Sequence, residues 1–153
     1  MVSVPFPNNG QNKNFKKDFN SENAGLVPPQ NVQAEEAVLG GILLDQDAIG
    51  RIADIIKPEA FYITAHQEIY RTALMLHTQG KPTDLTSMSA WLADNGSLEK
   101  IGGNSKLVEL VENVSSTASI EQVANLINDK FMRRQLIRSG NEVVQLGFDQ
   151  TQD

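Results

Sequence analysis

Two histidines and a few carboxylates are the residues of this chain that could carry out chemistry. His66 and His77 lie eleven positions apart, close to one face of a helix, as two metal ligands could. No third ligand follows at a suitable spacing, and the Glu-x-x-His pairs of helical di-metal sites do not occur. Glu35 and Glu36 could join His66 in general acid–base catalysis. Charge on the outer face of an amphipathic helix, with partly buried histidines, is the simpler interpretation of both patterns.

Two further stretches resemble ligand sites but lack the required residues. Asp45–Asp47 looks like the start of a calcium loop, but the fifth and twelfth positions are Ile49 and Ile56, where oxygen ligands are needed. The Gly-Lys pair at Gly80 is followed by proline, so it is no phosphate-binding loop. The chain also has no cysteine, which excludes thiolate chemistry. We therefore predict no catalytic, metal or cofactor site, and a protein that acts by binding.

The composition narrows the choice of partner. The chain has 153 residues, 40% of them hydrophobic, and a net charge of −6, which argues against a broad phosphate-tracking surface and so against much direct DNA binding. A basic cluster lies late in the chain and is interpreted as a solvated helix face, with DNA binding as the weaker alternative. Its members are Lys130, Arg133, Arg134 and Arg138. Because no apolar run approaches roughly 18 residues and no secretory signal is found, no membrane association is expected and we predict a cytoplasmic protein.

Pro28 marks the start of a pattern that is helical nearly throughout. Residues 1–27 are rich in Asn, Pro, Gly and Lys, and are predicted to be a disordered tail. Phe61, Tyr62 and Trp91 are predicted to fill the core. Capping residues and breakers delimit the helices. They are Val32–Leu44 after an Asn31 cap, a second through Ile49–Ile56 after an Asp47 cap, a third from a capping box at Thr64–Gln67 to Gly80, a fourth from an Asp84 cap to Asn95, and a fifth carrying Leu107–Val114.

Gly40 and Gly41 stand inside the first predicted helix, where each costs about 1 kcal/mol relative to alanine. The second half of this helix is apolar nearly all round, which indicates burial on most sides. A missing side chain allows a neighbouring helix to approach closely. We therefore predict a helix-crossing point at these glycines.

The last segment carries the longest pattern. Ser119–Gln122 is a second capping box, and no proline follows up to Phe148, so a helix of roughly 40 Å is predicted at 1.5 Å per residue. Gly140 could mark a bend. The apolar stripe is longer than five short helices can cover, so we expect a partner helix from another subunit or from chain beyond Asp153. The stripe includes Val123, Ile127, Phe131, Leu136 and Val143.

Three stretches together resemble the amino-terminal domain of the bacterial replicative DNA helicases of the DnaB family. They are PPQNVQAEEAVLGGILLD, KPEAFYITAHQEIYRTALMLHTQGKPTDLTSM and LEKIGGNSKLVELVENVSSTASIEQVANLINDKFMRRQLIRSG, and the resemblance covers about residues 28–148. It implies an all-α fold, with a small orthogonal bundle of about five short helices (28–117) followed by a long helix (118–153). That helix would be the first arm of a helical hairpin, the second arm and the ATPase motor being absent from this chain.

The resemblance also implies partners. In the family, hairpins pair as dimers, the domains form a collar on a hexameric ring, and a DnaG-type primase docks on the collar, where helicase loaders or initiators can also act. ATP and Mg²⁺ would belong to the absent motor, so this chain would not itself be an enzyme. The positions matching primase contacts are Gln33, Glu36, Ser105, Lys106 and Leu107. Gln33 and Lys106 depart from the acidic and aromatic residues that family members often have there.

Two other hypotheses stay open at this point. The chain could be a freestanding helical regulator, without any motor, that binds a partner through the apolar stripe at residues 131–144. It could also be an enzyme that uses Glu35, Glu36 and His66.

Overall fold

The computed structural model describes residues 25–114 and 118–151 of the chain. Within these ranges it contains six α-helices and no strand, which confirms an all-helical fold that ends in a long helix. Residues 1–24 of the predicted tail, together with residues 115–117, lie outside the described residues. The helices are α1 (Val32–Leu44), α2 (Ala48–Ile52), α3 (Thr64–Thr78), α4 (Leu85–Asp94), α5 (Gly103–Glu112) and α6 (Ile120–Phe148), with short 3₁₀ turns at Pro58–Ala60 and Glu99–Ile101.

Three of the predicted helix caps are confirmed. Asn31 Oδ1 accepts from the Ala34 backbone N–H at 3.0 Å, and α1 begins and ends at the predicted residues. Asp84 starts α4 by accepting from Ser87 N at 3.2 Å. Ser119 Oγ accepts from Gln122 N at 3.3 Å at the start of α6. In each case a short polar side chain satisfies one of the N–H groups that a helix start leaves without an intrahelical partner.

The second helix is shorter than predicted, and its predicted cap is wrong. α2 ends at Ile52, and the Asp47 side chain makes no capping bond. Asp45 acts locally instead, because its Oδ1 accepts from Asp47 N at 2.9 Å, which shapes the turn out of α1. Ile56 lies beyond the end of the helix but is fully buried. Ile52 and Ile56 are therefore both apolar because both belong to the core, although they do not belong to the same helix.

The helices pack around one hydrophobic core within a compact unit of residues 29–135. This unit includes the first half of α6 through Val123, Ala124 and Ile127, all buried. Among the described residues, 25–28 and 136–151 fall into a second unit. There α6 continues unbroken through Gly140, and Leu136 and Val143 are 72% and 67% exposed.

α1 and α5 come into very close contact at Gly40. A Cβ added at this residue would overlap the carbonyl oxygen of Leu110 and the Cγ2 of Val114. At Gly41 an added Cβ would lie 3.3 Å from the Ile120 Cδ1, a side-chain end that can move. The close approach of a second backbone therefore falls at Gly40, where no residue but glycine fits without displacing α5.

Candidate functional site

Glu35 is buried in the compact unit and caps a helix that is distant in sequence. Its carboxylate accepts from the backbone N–H groups of Tyr62 at 3.0 Å and Ile63 at 3.3 Å, immediately before α3. It also lies 3.0 Å from Nδ1 of His66, whose ring is fully buried. The prediction that Glu35 lies on an outer helix face is therefore wrong. The predicted capping box at Thr64 is wrong too, since α3 begins at Thr64 after a residue without a side-chain cap.

Other side chains bond to the backbone of the segment just before the residues that Glu35 caps, residues 56–61. Tyr70 Oη donates to the Ile56 carbonyl at 2.8 Å, and Gln67 Nε2 donates to the Phe61 carbonyl at 2.7 Å. Each bond satisfies a backbone oxygen outside regular helix, which would otherwise be costly to bury. We call Glu35, His66, Gln67 and Tyr70, together with Arg134, the polar cluster.

Arg134 contributes from α6 to the same segment. Its Nη1 donates to the Pro29 carbonyl and its Nη2 to the Ala60 carbonyl, both at 2.7 Å. The guanidinium lies 5.4 Å from the ring centroid of Tyr62 and 5.8 Å from that of Phe131, within the range of a cation–π contact. The interpretation of Arg134 as part of a solvated basic face is therefore wrong, because both terminal nitrogens of its guanidinium donate to backbone carbonyls.

The geometry of the polar cluster suits support rather than catalysis. An ionised carboxylate only accepts hydrogen bonds, so His66 Nδ1 donates to Glu35, and Nε2 is buried with no hydrogen-bond partner in the described ranges. Burial also raises the pKa of Tyr70.

Glu36, the third member of the hypothetical catalytic set with Glu35 and His66, accepts from Lys106 Nζ on the surface instead. Within residues 25–114 and 118–151, no three His, Cys, Asp or Glu side chains come together as metal ligands would.

Residues from two distant stretches meet on the surface between α1 and α5. Lys106 Nζ donates to Glu36 Oε1 at 3.2 Å, although the two residues are 70 positions apart. Gln33 and Ser105 are exposed beside them in sequence. These four residues, Gln33, Glu36, Ser105 and Lys106, form the candidate docking surface. Leu107 is excluded from it, because its side chain is fully buried in the core.

One apolar side chain on α5 was missed by the sequence reasoning. Val108 follows the buried Leu107 and is 38% exposed. Leu107 and Val108 are adjacent aliphatic residues of an amphipathic helix. Successive residues of a helix are rotated by about 100° around its axis, so the two side chains point in different directions. The buried positions of α5 are Leu107 and Leu110, so a finer reading of the periodicity would have assigned Val108 to the outer side.

The predicted pairing stripe of α6 divides into buried and exposed members. Val123 and Ile127 are 7% and 1% exposed and belong to the core of the compact unit, and Phe131 is partly buried against it. Of the five predicted residues, only Leu136 and Val143 have side chains that are mostly exposed to solvent. Further large apolar side chains of α6 are also exposed, namely Leu126, Met132, Ile137 and Leu146.

The remaining basic residues of α6 are largely paired along the helix. Arg133 Nε lies 3.0 Å from Asp129, and Arg138 Nε lies 3.5 Å from Glu142. Such exposed pairs contribute little to stability, but they reduce the net positive charge available to a phosphate backbone. None of the helices that the structure describes is both long and apolar enough to cross a membrane.

A model of the DnaB-like helicase N-terminal domain matches residues 27–129, about two thirds of the chain. The chain belongs to this family. The DnaB-like assignment agrees with the structure, which resembles a crystal structure of the N-terminal domain of DnaB helicase from Mycobacterium tuberculosis. The similarity has a TM-score of 0.77 at 38% identity, and covers 80% of this chain and 87% of the other.

Two further comparisons match this DnaB-like domain to part of longer proteins. A replicative DNA helicase DnaB from Nostoc sp. is 53% identical over 131 residues, which is 86% of this chain but only 15% of the helicase. A structure of a DnaB-like replicative helicase, described with its interactions with primase, has a TM-score of 0.67 at 31% identity, and covers 75% of this chain and 27% of that one.

Proposed function

We propose that this domain is the amino-terminal collar domain of a hexameric bacterial replicative helicase, and that it contributes to ring assembly and recruits primase. The observation that carries the proposal is the match to the DnaB-like N-terminal family over two thirds of the chain, together with a site that is built for support and contact. Glu35, His66 and Tyr70 of the polar cluster are buried, whereas Gln33 and Ser105 of the candidate docking surface, and Leu136 and Val143 of α6, are exposed.

The ATP-driven unwinding of DNA would reside outside this chain. The named relatives are replicative DNA helicases, and this chain spans 15% of the Nostoc protein. In this proposal ATP and Mg²⁺ are bound by a motor domain, and the protein works in the bacterial cytoplasm during replication. Reading the coding sequence beyond Asp153 tests this part: a G-x-x-x-x-G-K-[ST] motif is expected, and its absence would favour a freestanding helical module.

Self-association is proposed to use the exposed apolar residues in the second half of α6. Leu136 and Val143 are seven positions apart, so they lie on one helix face, and both are mostly exposed. A second helix that covered them would remove apolar area from water at roughly 25 cal/mol per Å². In the architecture of the family, the first partner is the second arm of the same hairpin. The hairpin of another subunit then packs against this hairpin.

Sedimentation of the longer protein, carrying the helix that follows, tests this pairing. Leu136→Glu with Val143→Glu is expected to lower the mass of the assembly towards the monomer. Asn141→Glu is the control for added charge, because it places one of the two glutamates on the same helix about 140° from Leu136. An assembly that is unchanged by the double variant at high micromolar concentration would exclude the pairing.

Primase docking is proposed for the surface formed by Gln33, Glu36, Ser105 and Lys106. The support comes from the DnaB-like helicase structure described with its primase interactions, from the bond between Lys106 on α5 and Glu36 on α1, and from the exposure of Gln33 and Ser105. The probe is the carboxy-terminal domain of a cyanobacterial DnaG-type primase, chosen because of the Nostoc relative. Ser105→Arg is expected to weaken binding measured by calorimetry at least tenfold, whereas Arg71→Glu on the exposed side of α3 should leave it unchanged.

A further inference from the structure

The Glu36–Lys106 ion pair joins the two helices of the candidate docking surface. Its N–O distance is 3.2 Å, and the side chains of Lys106 and Glu36 are only 21% and 26% exposed. Two charges that are partly removed from water attract each other more strongly than a pair on an open surface. The pair therefore holds the Glu36 carboxylate in the free protein.

We propose that Lys106 acts as an intramolecular lock on Glu36, and that a docking partner which brings its own arginine or lysine to this carboxylate must first displace Lys106. This inference rests on the proposed function, since it concerns how the docking surface is regulated. The lock makes Lys106 a residue that weakens docking, even though it lies in the surface itself.

The charges around the pair indicate that the partner's group is a cation. α1 contains Glu35 and Glu36 and no basic residue, and on α5 Lys106 stands with two glutamates, Glu109 and Glu112. Glu35 is buried and bonded within the polar cluster, which leaves Glu36, Glu109 and Glu112 against Lys106 alone outside the core. A positive side chain arriving here is attracted by their net negative charge. A guanidinium would suit Glu36 best, because its fork can bond both carboxylate oxygens.

The test measures primase binding to four proteins: wild type, Lys106→Met, Glu36→Gln and the double variant. Methionine keeps much of the long apolar stem of lysine but removes the charge. Lys106→Met is expected to tighten binding about two- to fivefold, the range of a single partly exposed ion pair. Glu36→Gln should weaken it, and Lys106→Met should then have no effect in the Glu36→Gln background.

Arg71→Met is the matched control, because it breaks the exposed Arg71–Glu68 pair on α3, which is 3.0 Å long, without touching the docking surface. Circular dichroism of each variant confirms folding before binding is measured. If wild type binds and Lys106→Met leaves the affinity unchanged or lowers it, the lock is overturned while docking stands. If none of the four proteins binds, the proposed docking function fails, and the lock fails with it.

Discussion

Replacing the buried carboxylate of Glu35 should destabilise the domain strongly. Glu35 accepts from Tyr62 N, Ile63 N and His66 Nδ1, at 3.0, 3.3 and 3.0 Å. A glutamine of the same shape has one acceptor oxygen, and its NH₂ group would face at least one of these donors. With one or two buried donors left unsatisfied at about 1–3 kcal/mol each, Glu35→Gln should lower the free energy of unfolding by about 2–5 kcal/mol.

Glu36→Gln provides the matched control for Glu35→Gln, because the same substitution is made at the next residue of the same helix. Glu36 is half-buried and forms one ion pair, so its loss should cost no more than about 1 kcal/mol. Urea unfolding followed by far-UV circular dichroism measures both values. Equal losses in the two variants, or a loss below about 1 kcal/mol at Glu35, would refute the assignment of Glu35 as the cap of α3.

Three other perturbations test the packing around the site. Gly40→Ala should cost about 1–3 kcal/mol in a thermal or urea melt because α5 would have to move, whereas Gly140→Ala, with nothing within 4 Å, should stabilise the helix by up to about 1 kcal/mol. Arg134→Lys should cost about 1–2 kcal/mol through loss of its forked donation to two carbonyls; a cost equal to that of Arg133→Lys would contradict this. Burial raises the pKa of Tyr70 above that of the unfolded chain, so the stability it contributes is complete below about pH 10 and falls as the pH rises further. Tyr70→Phe should flatten that alkaline fall, and an identical pH profile in the variant would exclude the linkage.

The helices themselves were largely predictable because their signals are local. The bounds of α1 follow from an Asn31 cap and the proline before it, and those of α4 from Asp84 and the Asn95 end. A cap of this kind acts within three residues of itself, so it can be read from the local sequence. The predicted caps at Asp47 and Thr64 were nevertheless wrong, and the start of α3 is bonded by the distant Glu35 instead. α2 failed as a local prediction because Ile56 is buried by the tertiary core and not by the helix.

The polar cluster could not be predicted because its bonds connect residues far apart in the chain. Glu35 and Tyr62 are separated by 27 positions, and Arg134 and Pro29 by 105. Charged side chains are rarely buried without partners, so sequence reasoning assigns them to the surface until the partners are known. The residues of the candidate docking surface came from the family resemblance, but the ion pair between Glu36 and Lys106 could not be predicted.

Glu35 and Glu36 are neighbouring, chemically identical side chains that lie in different environments. Successive residues of a helix are rotated by about 100°, so α1 directs Glu35 into the core and Glu36 towards α5 and the surface. A change at Glu35 should therefore lower stability, while the partner affinity of the fraction that remains folded is preserved. A change at Glu36 should alter partner affinity with little loss of stability. An assay that measures only the amount of complex would show a decrease for both substitutions. Measuring the affinity on fully folded protein separates the loss of stability at Glu35 from the change in affinity at Glu36.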